Sequence, residues 1–185
     1  MLATSAFGAA INLSTSGLAS PVSTIDFSEF SVPETDPITT EFSSLGVTFS
    51  PNLYYRTNDN AAWANIIGAN LRSGDPIVSN FSLNFDQPLT SAAFAAIAQP
   101  PTPATFTALL EGSEVESFDT NVTIDNRDNF FGFEGIVFDE INVAYTAETR
   151  MRIDSLQLGA AIPEPGTVTI SLLGLFALCL RRRRK

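Results

Sequence analysis

A chain of 185 residues, 44% hydrophobic and 10% aromatic, is long enough for one domain with a true core and too apolar for a disordered one. Its net charge of −10 is uneven: Arg181 to Lys185 hold half of the ten basic residues, so residues 1–166 set 20 acids against five arginines, a net of −15 without a lysine. Such a body repels nucleic acid and anionic lipid, and without histidine, and with Cys179 as the one cysteine, it excludes His- and Cys-based nucleophiles, zinc sites and an internal disulfide, leaving carboxylates for any catalysis.

The first stretch, "MLATSAFGAAINLS", has the apolar run and small residues of a secretory signal, with Gly8 and Ala10 suiting cleavage after Ala10. No basic residue precedes Arg56, so residues 1–21 read as the later part of such a signal plus a linker. A first strand over Met1–Leu13 is the alternative.

From 22 to 160 the pattern predicts short strands separated by turn residues. Period-two alternation marks "VTF" (Val47–Phe49), "FSLNF" (Phe81–Phe85), "FTALL" (Phe106–Leu110) and "INVAY" (Ile141–Tyr145). Glu111-Gly112-Ser113 reads as a hairpin turn between Phe106–Leu110 and Val115–Phe118. "AQPPTPA" (Ala98–Ala104) reads as a loop at a sheet edge, because proline cannot donate to a ladder. "TSAAFAAIA" fits helix or strand. About eight to ten strands at this spacing predict an all-β fold, an antiparallel two-sheet sandwich of jelly-roll type, with the phenylalanines filling the space between the sheets.

At the far end, Thr167–Leu180 carries no charge. As a helix it would reach about 21 Å, short of the roughly 30 Å hydrocarbon core. The basic block Arg181, Arg182, Arg183, Arg184 and Lys185 follows directly, which holds its side of a membrane, and Pro163 and Pro165 stop the helix on the other. Residues 167–180 are therefore expected to form a short transmembrane helix, carried by Thr167, Leu172, Leu175, Phe176 and Leu180 and accommodated by thinning and snorkelling.

"PEP", a short Leu/Gly/Ala-rich span and "RRRRK", in that order over Pro163–Lys185, resemble the PEP-CTERM sorting signal of Gram-negative bacteria. The resemblance implies export, an inner-membrane intermediate with the body in the periplasm, and processing by an exosortase at or near the triplet. Delivery to the cell surface or to an extracellular matrix of exopolysaccharide and biofilm then follows. Pro163, Glu164 and Pro165 would be the recognition element, the apolar span a transient anchor, and the basic block the retention signal. A permanent single-span anchor is the alternative. "TIDFSEF", "LGVTFS", "FFGFEGIVFDEINV" and "MRIDSLQLG" are similar, more loosely, to the jelly-roll ectodomains that accompany such tails.

The body offers three kinds of candidate site. Asp26, Asp139 and Asp154 lie in probable first, penultimate and last strands, a junction where a sandwich can hold Ca2+ as a cofactor, although their spacing matches no linear calcium loop. Tyr54, Tyr55 and Trp63 in "LYYRTNDNAAW" offer flat faces to a sugar, with Arg56, Asn58, Asp59 and Asn60 for hydrogen bonds; burial of Trp63 and one tyrosine is the plainer expectation. Glu111, Glu114 and Glu116 are the carboxylates for a hydrolase, but a hairpin turn is not the apolar pocket a general acid needs. The sequence thus points to a non-enzymatic exported surface or matrix protein, with a calcium-dependent carbohydrate-binding module as the alternative.

Overall fold

Eleven strands form among the residues described in this computed structural model, 9–50, 53–58, 63–73, 79–146 and 149–162. In chain order they are β1 (Ala9–Ser14), β2 (Ser23–Ile25), β3 (Pro37–Ile38), β4 (Val47–Phe49), β5 (Leu53–Asn58), β6 (Gly68–Ser73), β7 (Asn80–Gln99), β8 (Thr102–Leu110), β9 (Ser113–Val122), β10 (Phe130–Tyr145) and β11 (Arg150–Leu158). A 3-10 turn, Ser43–Leu45, precedes β4. All the strand pairings are antiparallel.

β7 and β10 span 20 and 16 residues, against the usual five or six, and they fold the ladder into two layers. Asn80–Asn84 pair with Glu140–Ala144, and Ser91–Ala95 pair with Phe130–Glu134. Between these blocks the register slips, and Gly135 takes the left-handed φ of 78° that a non-glycine residue resists. Layer one runs β3-β5-β6-β11-β7-β10, with β1 on the free edge of β10 and β2 on the end of β11. Layer two runs β4-β7-β10-β8-β9. This is the antiparallel two-layer sandwich the strand pattern predicts.

Phenylalanines close the gap between the layers. Phe94 and Phe131 of layer one stand 5.9 and 5.0 Å, ring centre to ring centre, from Phe106 of layer two, and Phe133 stands 5.3 Å from Phe118. Each such ring contributes about 1.5–3 kcal/mol by leaving water.

The local expectations fare variously. "VTF" is β4, and the other three alternating segments lie within β7, β8 and β10. The β8–β9 hairpin turns on Glu111 and Gly112, with φ of 52° and 75°, between the paired Leu110 and Ser113. "TSAAFAAIA" is strand: Ala92, Phe94 and Ala96 enter the main core while Ala93, Ala95 and Ile97 enter a second cluster on the outer face. Burial on both faces removed the alternation that identifies a strand.

Two boundaries are corrected. The proline-rich loop shrinks to Pro100-Pro101, which carries the chain from layer one to layer two. Pro103 fits inside β8 because β10 pairs with β8 only from Ala104 onward, so one side of the strand at 103 has no ladder to donate to. The sandwich also begins at Ala9 rather than Val22: Ala10 pairs with Phe133, and Ile11 and Leu18 are buried. The tail Pro163–Lys185, with its triplet, apolar span and basic block, lies outside the described residues, as do Asp59 and Asn60. Among the described residues no helix is long and apolar enough to cross a membrane.

Candidate functional site

The outer face of layer one is not left to solvent. Ile11, Leu18, Ile66, Ala93, Ala95, Ile97 and Phe130 form a second cluster there, with Trp63 and Ile124 packed against it. Two loops supply the cover. Asn129, buried, donates to the Ala64 carbonyl at 2.7 Å and accepts from Asn65 at 2.7 Å, tying the loop before β6 to the one before β10. The Asn129 carbonyl in turn accepts from the Ala96 amide of β7 at 2.9 Å. Side-chain amides satisfied on both ends fix the walls in place.

Beside this cover lies a cavity of about 420 Å³, within the usual range for small-ligand sites. Trp63 and Ile124 wall it; Ile97, Gln99, Arg72, Arg150 and Arg152 form its floor. Strand register explains the floor. Tyr54 pairs with Arg72, Arg72 with Arg152, Arg152 with Ile97, and Arg150 with Gln99, so alternate residues of β5, β6, β11 and β7 project to the same outer face. Four of the five body arginines, Arg56, Arg72, Arg150 and Arg152, come from these strands.

Arg152 is the centre of this group. Its guanidinium carbon is 4.8 Å from the centre of the Trp63 ring, a cation–π contact, and its Nη1 donates to the Asn70 side-chain carbonyl at 2.9 Å. Burial, then the charges of Arg72 and Arg56, push its pKa down to about 10; it stays charged at neutral pH. Arg56 reaches Glu34 at 3.8 Å. Among the described lining residues, three are cationic and none is a carboxylate.

Asp154, two residues on, sits under the same cover. Its carboxylate accepts from the Ile67 amide at 2.8 Å and from the Ser155 amide. Burial raises its pKa to about 7 against those two bonds, with Asp26 and Glu29 adding to the rise.

The expected sugar platform divides. Adjacent residues of a strand face opposite ways, so Tyr55 enters the main core while Tyr54 stays on the outer face beside Arg72. Trp63 is half-buried at the cavity wall. The expected three-aspartate junction is not assembled. β2 and β11 do pair, and Asp26 and Glu29 act on Asp154, but β10 carries Asp139 into layer two, where it accepts the Glu111 amide at 3.0 Å. Asp26 is engaged by Ser28, which lowers its pKa. Among the described residues no group of three or more Asp, Glu, His or Cys side chains is placed to hold a metal ion. Glu111 and Glu114 are exposed at the hairpin and Glu116 is half-buried.

Of the arginines on this face, Arg56 alone stands out in the sequence as a ligand-binding candidate, and Arg72, Arg150 and Arg152 do not. Their signal was present: "RMR" at 150–152 and "NLR" at 70–72 put polar residues on alternate positions of strands in a body with five arginines and no lysine.

Comparison with known proteins locates one functional element. Residues 161–184 match the model of the PEP-CTERM protein-sorting motif. No curated protein matches the chain. Among solved structures, the chain is similar to CsCBM6-3 from Clostridium stercorarium, determined in complex with cellobiose. The TM-score is 0.38 at 11% identity, and the match covers 75% of this chain and 94% of that one.

Proposed function

We propose that the protein is an exported, non-catalytic component of the cell surface or extracellular matrix, released from an inner-membrane intermediate by an exosortase. The observation that carries this reading is the sorting motif at residues 161–184, which implies export and recognition by that processing enzyme. It follows directly on a body, residues 1–160, of 19 acids and five arginines, a net charge of −14 with no lysine. Pro163, Glu164 and Pro165 are the recognised triplet, Thr167–Leu180 holds the chain in the membrane until it is processed, and Arg181–Lys185 keeps its end on the cytoplasmic side. The body then acts by folding and binding. Glu111 and Glu114 at its hairpin turn are solvated, a poor setting for a general acid.

Replacing the triplet by three alanines in the native host tests the assignment. The variant is expected to accumulate, unprocessed, in the inner-membrane fraction while the wild type leaves it. Equal release of both would remove the exosortase from the account.

A second reading, a carbohydrate-binding body under the same signal, is favoured by one observation: Trp63 and Tyr54 share the outer face with the arginine-floored cavity. The calcium dependence first attached to it has less support, because Asp139 stands apart from Asp26 and Asp154.

A further inference from the structure

We infer that the cavity between Trp63 and the β6–β11 arginines binds a carboxylate-bearing pyranose, one sugar residue of an acidic polysaccharide. This deepens the matrix reading by naming what the body would hold. Binding by purified protein and processing in the host are measured separately, so either can fail without the other.

Arginine placement is the first ground. Like charges directly opposite on neighbouring strands are destabilising, yet Arg72 and Arg152 are register partners and Arg150 lines the same floor. Of the five body arginines, three line this one cavity. Guanidinium groups present paired N–H donors whose planar fork matches a carboxylate.

The shape and polarity of the walls are the second ground. Trp63 and Ile124 give the cavity apolar surface on which the C–H face of a pyranose can rest, and Gln99 offers an amide to a ring hydroxyl. Trp63 packs against the outer cluster and lies within 4.8 Å of the Arg152 guanidinium, so the platform is already in place before a ligand arrives. A free inorganic anion would use the arginines and leave these walls bare.

The third ground is the surrounding charge. A long polyanion laid along the body would meet acidic surface almost everywhere, whereas one or two sugar residues docked into the cavity meet the arginines first. Charges beyond about 8 Å are screened at physiological salt. Short acidic oligosaccharides should therefore bind as tightly as the long polymer.

Trp63 is the only tryptophan, so its emission reports on the cavity, and calorimetry on the same sample covers a spectroscopically silent complex. Full-length protein in detergent micelles is titrated with trigalacturonate, its methyl ester, acetate and a glutamate oligopeptide. Saturable binding of trigalacturonate is expected, with the ester at least about tenfold weaker, as befits loss of a charge-assisted bidentate contact. Arg152→Gln should weaken binding about tenfold or more. Arg150→Gln, at an exposed position, should do so with an unchanged melting temperature, which separates binding from folding. Acid and ester binding alike, or no saturable heat with trigalacturonate, would overturn the proposal. So would a glutamate oligopeptide or acetate that binds as tightly as the saccharide, which would make the site a general carboxylate receptor.

Discussion

Arg72 and Arg152 face each other in register across the β6–β11 pair, two cations side by side in a body that is otherwise strongly acidic. Burial and the neighbouring charges hold the Arg152 pKa down to about 10. What offsets the repulsion is visible for Arg152: the Trp63 ring over its guanidinium and the Asn70 carbonyl at 2.9 Å.

That arrangement predicts a trade between stability and binding. Arg152→Met keeps a long apolar stem against Trp63 while removing one of the two facing charges. Its melting temperature should stay close to that of the wild type, relief of the repulsion being set against loss of the Trp63 and Asn70 contacts, while retention on an acidic polysaccharide gel is lost. A marked drop in melting temperature would show that the charge itself holds the cover in place.

Asp154 makes stability depend on pH. Its folded pKa is raised from 3.8 to about 7, so the folded protein holds a proton that the unfolded chain has released. Its contribution is complete below about pH 4 and is lost as pH rises through 7. Asp154→Asn keeps an acceptor for the Ile67 amide and cannot ionise. Thermal melts from pH 4 to 8 should show the wild type falling relative to this variant, by a shift on the order of 5 °C. Parallel curves would contradict the buried, protonated state.

Gly132 sits where β10 crosses the small residues of β7. A Cβ there would overlap the backbone of Ala92 and Ala93, which cannot move without breaking the ladder. Gly132→Ala should cost about 3 kcal/mol or more, read as a fall in the urea midpoint. A midpoint within error of the wild type would mean the two long strands lie further apart than described.

Phe106 touches rings from both layers: Phe94, Phe118 and Phe131 all lie within 5.9 Å, centre to centre. Phe106→Ala is expected to cost about 3–5 kcal/mol by removing the ring and leaving a cavity, measured by chemical denaturation. A loss below 1 kcal/mol would show that the layers can collapse around the gap.

Most of the fold was legible because its signals are local. Val47–Phe49 and Phe81–Phe85 alternate, and Glu111-Gly112 carries its own turn chemistry. Ser91–Ala98 was not legible, since a strand buried on both faces shows no period. β1 was hidden by small residues that serve a signal peptide and an edge strand equally well. The site was legible only in pieces. Trp63 and Tyr54 stood out as aromatics near polar residues, but Arg72 and Arg152 are 80 positions apart and meet only through the register of β6 on β11. Asp139 was misplaced for the converse reason: β10 changes layer at Gly135, a bend that alternation cannot reveal.

The central claim is that the tail is an address removed during export, and the intact mass of the extracellular protein from its native host tests it most directly. The account predicts a chain that ends at or near the Pro163–Pro165 triplet and lacks Arg181–Lys185. An extracellular form whose mass includes the complete Thr167–Lys185 segment would contradict it.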